Sequence, residues 1–522
     1  MLRAIFTTVI STLFACGAAR AQLPEPVARL LQAAAIPQDA VGAVVLRGDE
    51  VLLSHGAERG MHPGSTMKLV TTLVALEQLG PTFRGRTELR SNAELGGGVL
   101  KGDLVLRGGA DADLNADVLE HMLQTLRNQG IQKIRGDLIV DRQLFQPARP
   151  DLNLAPFDAY PEARYNVIPD ALLLNTNLLH IDLAATERQL KALMLPALEG
   201  VSVVADMRLS EASCAKWEDG WRRPDYVREG NKLKVVLHGS FPRNCMKSTS
   251  INVLDRQDYL DRLFRATWRR VGGSFGGVVR EAATPADSRL LTDHVARALP
   301  EVVRDTNKNS DNTLARLIYL SLGSLEADAE LGSRPLVAAE GAPATTAARA
   351  EQTVRAWFLR HNIDDQGLVL ENGSGLARGE RIRAGQMAGL LQAASRGAWA
   401  PEFVSSLPIA ALDGTMRRRL HGSPAAARAR IKTGSLKNVV AIAGYVPDAN
   451  NQQCVVVAMI NHEQVANGAG RAALDALIDW VANLGQATPG QATPVQATPG
   501  QATPAAPSLV APAQTATSAA PE

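Results

Sequence analysis

The sequence has almost no excess charge. Its 522 residues carry 55 Lys plus Arg against 53 Asp plus Glu, a formal charge of +2. A protein that binds a phosphate backbone draws its affinity from a basic face or tail, so nucleic acid is excluded as an expected partner. Cysteines number only four, no Cys-x-x-Cys pair occurs, and His462-Glu463 lacks the second His of a zinc-protease helix. No metal and no cofactor is therefore expected. Beyond the first 21 residues no stretch approaches the roughly 18 apolar residues of a membrane span, so no transmembrane segment is expected. Aromatics make up 4%, yet 46% of residues are hydrophobic and 21% charged, a globular composition too long for one ordinary domain.

What the chain does contain begins with an address. Arg3, the short apolar run Ala4 to Ala15 and the small residues Ala19 and Ala21 read as a secretory signal over residues 1–21, with the mature protein starting near Gln22. A periplasmic or otherwise extracytoplasmic location follows. Leu13-Phe14-Ala15-Cys16 offers a lipid-attachment alternative, but bulky Phe14 fits that box poorly. In an oxidising compartment Cys214 and Cys245, both in a polar, loop-rich region, are candidates for a disulfide. Cys454 opens an apolar strand and is expected to be a buried thiol.

Along the chain, residues 41–54 read as two strands and a turn, and Ser65 to Leu79 as a helix stopped by Gly80-Pro81. Lys101-Gly102-Asp103-Leu104 is echoed 34 residues later (136 minus 102) by Arg135-Gly136-Asp137-Leu138, with helical periodicity between. Two similar strands of one sheet explain the echo. Residues 178–254 look mainly β, and a helix is expected from Asp258 to Val271. After residue 300 the pattern is helical to Arg430, apart from the glycine-rich loop at Asn372 to Gly375. Strands from Asn438 to Val446 and from Cys454 to Ile460 and a helix from Gly470 to Leu484 close the globular part. The remainder, 485–522, repeats Ala-Thr-Pro every five residues and reads as a disordered tail.

Ser65-Thr66-Met67-Lys68 is a Ser-x-x-Lys pair at a helix start, where residues three apart share a face. A serine hydroxyl needs a base to become a nucleophile, and a Lys near its free pKa of about 10.4 is charged at neutral pH and cannot serve. The positive end of the helix dipole, burial and a nearby second cation would each disfavour the charge on Lys68. Spacing alone is weak, because Ser213 and Lys216 repeat it in irregular sequence. Two further elements add specificity. Ser310-Asp311-Asn312 opens the helix Thr313 to Leu322, whereas the similar Ser250 to Asn252 lies in strand-like sequence. Lys432-Thr433-Gly434 occurs once, immediately before a strong strand. There Lys and Thr can hold a carboxylate, and Gly lets a ligand backbone approach.

The three elements, in this order, resemble those of the active-site serine penicilloyl transferases. More closely, the chain resembles the class C low-molecular-mass penicillin-binding proteins, the D-alanyl-D-alanine carboxypeptidase and endopeptidase group of the penicillin-binding protein 4 type. Tyr165-Asn166, Pro169, Leu172 to Asn177, Asn307-Lys308, Asn372 to Leu376 with Arg378, and Asp413-Gly414-Thr415 extend the resemblance. So do the 242 residues from Lys68 to Ser310 (310 minus 68), which that family fills with an insertion.

The resemblance implies an α/β fold of the penicillin-binding-protein and β-lactamase type, a mixed, antiparallel-rich sheet flanked by helices. A catalytic domain would assemble from 22–87 and 282–484 around an insertion at 88–281, with a nested β-rich part at about 178–254. It implies Ser65 as nucleophile, Lys68 as its base, Ser310 as proton relay, Asn312 as orienting group and Lys432 as a source of positive potential. Thr433, Gly434 and Ser435 would form the substrate-binding strand, with the backbone N–H groups of Ser65 and Ser435 as oxyanion hole. Peptidoglycan stem peptides would be substrates and β-lactams covalent inhibitors. Glu371, Ala377 and Ser435 stand where the family often has Asp, Ser and Thr, which bears on substrate preference.

Three other readings compete. A class A β-lactamase needs a Glu-x-x-x-Asn loop for deacylation, and none lies between Asn312 and Lys432. The Gly272-Gly273-Ser274-Phe275-Gly276 run fits a hydrolase elbow, but a helix precedes it and a strand follows, the reverse of what that elbow requires. A non-catalytic wall-binding protein could keep the fold.

Overall fold

The computed structural model describes residues 22–154 and 157–486. The chain divides into two units, Met1–Leu484 and Gly485–Glu522, and every element below belongs to the first. The expected signal and nearly all of the expected tail lie outside the described residues.

The first and last parts of the chain meet in one five-stranded sheet. Its order is Glu50–His55, Val41–Arg47, Gln453–Asn461, Val439–Pro447, Arg430–Leu436. All neighbours pair antiparallel. The parallel pairs among the described strands lie elsewhere, between residues 99 and 281. Side chains alternate across the sheet because the strand period is two. Val455, Val457 and Met459 enter one core, with the helices Lys68–Gln78 and Ala384–Arg396. Cys454, Val456, Ala458 and Ile460 enter another, with the first and last helices, Glu25–Ala33 and Ala469–Ala482. A strand covered on both faces must be apolar throughout, which explains the unbroken run Cys454 to Ile460.

The helix Lys68–Gln78 is buried from Lys68 through Leu76. Such a helix, apolar nearly all round, is the central column of a helical layer. Around it stand Leu299–Asn309, Asn312–Leu322 and Thr346–Arg360.

Residues between the two halves of this arrangement have a core of their own. One five-stranded sheet there runs Val279–Glu281, Leu138–Asp141, Leu104–Gly109, Arg86–Ser91, Arg289–Val295. It extends past both expected edges of the insertion, at 88 and 281. The 34-residue echo is a ladder register: Leu104 pairs with Leu138, Val105 with Ile139 and Leu106 with Val140, in parallel. The helix Ala116–Asn128, capped by the side chain of Asn115, makes the crossover that a parallel pair requires. Residues 179–251 form two three-stranded sheets, and a disulfide joins Cys214 to Cys245. Cys454 is a buried free thiol.

Two expectations need correction. Lys432-Thr433-Gly434 precedes the expected strand, observed as Val439–Pro447, but itself lies within a further edge strand, Arg430–Leu436, and the last α-helix before it ends at Ser406, earlier than expected. The hairpin Leu325–Asp328 with Gly332–Pro335 interrupts the stretch read as helical; its strands are four residues each, too short for a periodicity to register. As the element order required, Ser274 begins a two-residue strand after the helix Arg256–Arg270, so no nucleophile elbow exists there.

Candidate active site

Ser65 stands in a 3-10 turn, Gly64–Met67, that feeds directly into the helix Lys68–Gln78. The turn is held from behind by His62, whose Nδ1 accepts from the Gly64 N–H at 3.0 Å while Nε2 lies 3.0 Å from the Ala377 carbonyl. Those partners require a neutral ring with its proton on Nε2. Burial also holds the His62 pKa below its ordinary value. In sequence, a lone His before Pro-Gly carries no signal of such a role.

Lys68 is fully buried, and its Nζ has three partners: Ser65 Oγ at 3.1 Å, Asn312 Oδ1 at 2.7 Å and the Ser374 carbonyl at 2.5 Å. The last two accept only. An uncharged amine has two N–H bonds and one lone pair, so with both hydrogens given to Asn312 and Ser374 the lone pair is left for the hydroxyl of Ser65. Asn312 is fixed in that sense because its Nδ2 donates to the Tyr165 carbonyl at 3.1 Å. Burial is the main cause that brings the Lys68 pKa down to about 7; Glu380 and Asp311 oppose the fall and Arg316 adds to it.

Ser310 ends the helix Leu299–Asn309 in the left-handed region, at φ 56° and ψ 43°, and Asp311 caps the next helix through the Leu314 N–H. A non-glycine residue there costs on the order of 1 kcal/mol. The Ser310 hydroxyl accepts from Lys432 Nζ at 2.8 Å, and the same Nζ donates to the Thr433 carbonyl at 2.9 Å. Lys432 is fully buried, and burial together with the charge of Lys68 holds its pKa well below the ordinary lysine range.

The edge strand Arg430–Leu436 lies hard against the Ser65 turn. A Cβ on Gly434 would come within 2.6 Å of the Pro63 carbonyl oxygen and 3.0 Å of Ser65 N. Thr433 and Ser435, two apart on the strand, therefore line the same cleft as Ser65 and Ser310, a space of about 380 Å³ that also takes in Thr415. The Thr433 hydroxyl donates to Thr415 Oγ1 at 2.8 Å. All eight site residues expected from the sequence thus gather at one place. Some of the residues that resembled family motifs outside the triplets make polar contacts with the elements that carry the site, while Leu172 to Asn177 belong to the inserted region. Asn307 donates to Thr72 and Ser406, Lys308 pairs with Asp413 at 2.6 Å, and Asn372 Oδ1 accepts from the Ser374 N–H and hydroxyl.

Glu380 was not foreseen. It is fully buried; its Oε1 accepts from the N–H groups of Asn372 and Gly373 at 3.2 and 3.0 Å, so it supports the loop whose Ser374 carbonyl holds Lys68. Burial raises its pKa to about 7, against the pull of those N–H groups and of Lys68. A single Glu in a loop shows none of this in sequence.

The look-alike motifs have other fates. Ser213 caps a short 3-10 helix through the Ala215 N–H, and the Ser250 hydroxyl meets the ring of His180. Among the described residues no group of three or more His, Cys, Asp or Glu could hold a metal ion, and no helix is long and apolar enough to cross a membrane.

The chain is 29% identical over 454 residues to the D-alanyl-D-alanine carboxypeptidase of Actinomadura sp. strain R39, a match covering 83% of this chain and 80% of that protein. It is 24% identical over 445 residues to the D-alanyl-D-alanine carboxypeptidase DacB of Haemophilus influenzae, covering 84% and 88% respectively. In fold it is similar to the crystal structure of penicillin-binding protein 4 from H. influenzae, with a TM-score of 0.68 at 22% identity, over 88% of this chain and 99% of that one. With residues 23–484 matching its profile, the chain belongs to the D-Ala-D-Ala carboxypeptidase 3 (S13) family of serine peptidases.

Proposed function

We propose that the protein hydrolyses D-alanyl-D-alanine ends of peptidoglycan stem peptides, and the D,D-cross-links between them, through an acyl-enzyme on Ser65. The observation that carries this reading is the buried amine of Lys68, 3.1 Å from the Ser65 hydroxyl and with a pKa brought down to about 7. Ser65 Oγ attacks the carbonyl of the penultimate D-alanine while its proton passes to the Lys68 lone pair. The developing oxyanion is met by the backbone N–H groups of Ser65 and Ser435; losing one such donor typically costs about 2.7–4 kcal/mol. The C–N bond then breaks as the proton taken up by Lys68 is relayed through Ser310, held by Lys432, to the leaving amine, which returns Lys68 to its uncharged form. Thr433 and Ser435 hold the carboxylate beside that amine. Water enters with Lys68 again as base, splits the ester and restores Ser65.

β-Lactams place a strained amide in the same position and acylate Ser65. The structure of the H. influenzae relative complexed with a β-lactam is consistent with this. An extracytoplasmic site of action, reached through a signal at 1–21, is supported by the Cys214–Cys245 disulfide, a bond that persists in oxidising compartments. The catalytic domain takes in the sheet built from residues 41–55 and 430–461 with its helical layer, and the insertion, whose sheet runs from Arg86 to Val295, has a separate core.

Incubation with purified muropeptides tests the reading. Release of free D-alanine and conversion of dimers to monomers are expected. Rapid turnover of a chromogenic cephalosporin would point to a serine β-lactamase instead, and no turnover of any substrate to a non-catalytic wall-binding protein.

A further inference from the structure

Three arginines line the cleft that holds Ser65, Ser310, Thr415, Thr433 and Ser435: Arg418, Arg419 and Arg471. Arg419 is matched, at 2.6 Å from Asp475. Arg418 and Arg471 are exposed, and among the described residues neither has a carboxylate or a hydrogen-bond acceptor in reach. Their placement is electrostatically unfavourable. Arg471 sits in the first turn of the helix Ala469–Ala482, beside its positive end, with no acidic residue in that turn and no side-chain cap. Arg418 adds a second unmatched cation to the same space, next to Arg419. Like charges gathered without partners destabilise a fold and raise the local concentration of anions. They share this one cleft with Thr433 and Ser435, the hydroxyls that would hold the substrate carboxylate.

We propose that Arg418 and Arg471 form a second anion subsite, on the leaving-group side, that selects cross-linked peptides over uncross-linked ones. The inference rests on the peptidase reading above and extends it to substrate choice. When a terminal D-alanine leaves, it carries one carboxylate, which Thr433 and Ser435 take. When a cross-link is cut, the leaving group is a whole second stem peptide. It carries the carboxylate next to the departing amine and, farther along, additional free carboxylates. Only this larger leaving group brings carboxylates beyond the one that Thr433 and Ser435 take, for the two guanidiniums of the same cleft to hold. Each can hold a carboxylate in a bidentate pair, which fixes orientation as well as charge. Both being exposed, they act through encounter and salt-sensitive attraction.

The test compares kcat/KM on a purified cross-linked muropeptide dimer with that on the monomeric pentapeptide, for the unsubstituted protein and for the double variant R418A/R471A. The dimer-to-monomer ratio should fall roughly fivefold or more at low salt in the double variant, the size expected for losing two exposed charge pairs. R418K/R471K should recover part of it, and added salt should erode the ratio of the unsubstituted protein but not of the alanine variant. Circular dichroism and the melting temperature verify that the variants are folded. Arg417→Ala, next in sequence but outside the cleft lining, should leave the ratio alone. An unchanged ratio in the alanine variant, or an equal fall in Arg417→Ala, overturns the subsite and leaves the peptidase assignment standing. Failure of the unsubstituted protein to cleave either peptide overturns both.

Discussion

At the scale of single residues the chemistry depends on which proton sits on one amine. Lys68 must be uncharged to accept from Ser65, and with its pKa near 7 that form grows as pH rises through neutrality. The rate of Ser65 acylation should climb through about pH 7 and level off above it. Glu380 contributes with a definite sign: its negative charge favours the charged form of Lys68. Glu380→Gln removes that charge, so the acid limb of the rate profile should move to lower pH, read from penicillin acylation rates across a pH series. A profile unmoved by the substitution would mean that Glu380 only supports the loop. Lys68 and Ser65 were legible in sequence because their spacing, helix position and order relative to the other motifs are local properties. Glu380 and His62 were not. Their roles arise from burial and from partners such as Ala377, 315 residues away from His62 in the chain.

At the scale of elements, what aligns the three motifs is close backbone approach. Gly375 has φ +78°, and a Cβ there would come within 1.8 Å of the Gly64 carbonyl oxygen and 3.0 Å of Ser65 N. The loop Asn372 to Leu376 and the Ser65 turn can therefore touch only through glycine. Gly375→Ala should cost roughly 2–5 kcal/mol, from the left-handed backbone and the overlap together, and should slow acylation by displacing Ser65. Urea midpoints and penicillin acylation rates measure both, and retention of wild-type values would show that the loop yields freely. The sheet strands and the long helices were readable from their periods. The edge strand Arg430–Leu436 was not read as a strand, since its burial does not alternate cleanly: Ile431 and Lys432 are both buried. A buried charged residue breaks the apolar pattern because the site, not the core, dictates it.

At the scale of the whole molecule, residues 41–55 and 430–461 meet in one sheet and a segment with a separate core lies between them in sequence. The disulfide staples the latter across 31 residues of sequence. Closing a loop of that length stabilises by about 2–4 kcal/mol in the chain-entropy picture. Replacing both Cys214 and Cys245 with Ser should lower the thermal stability of this segment by about that amount while penicillin still acylates Ser65. Loss of acylation along with the bond would tie the segment to the integrity of the cleft. The sequence echo at 34 residues was read as two strands of one sheet, and these strands are neighbours whose ladder register is the echo. Which strands flank the pair could not be read, because that choice is made by long-range pairing of Arg86–Ser91 with Leu104–Gly109 and of Val279–Glu281 with Leu138–Asp141.

The central claim, a serine activated by a neutral buried lysine, is tested most directly by labelling with penicillin followed by peptide mapping, from about pH 5 to about pH 9. The label should sit on the peptide containing Ser65, form faster as pH passes about 7, and be lost in Lys68→Ala. A label on the Ser213 or Ser274 peptide, or a rate on Ser65 that ignores both pH and Lys68, would contradict the account.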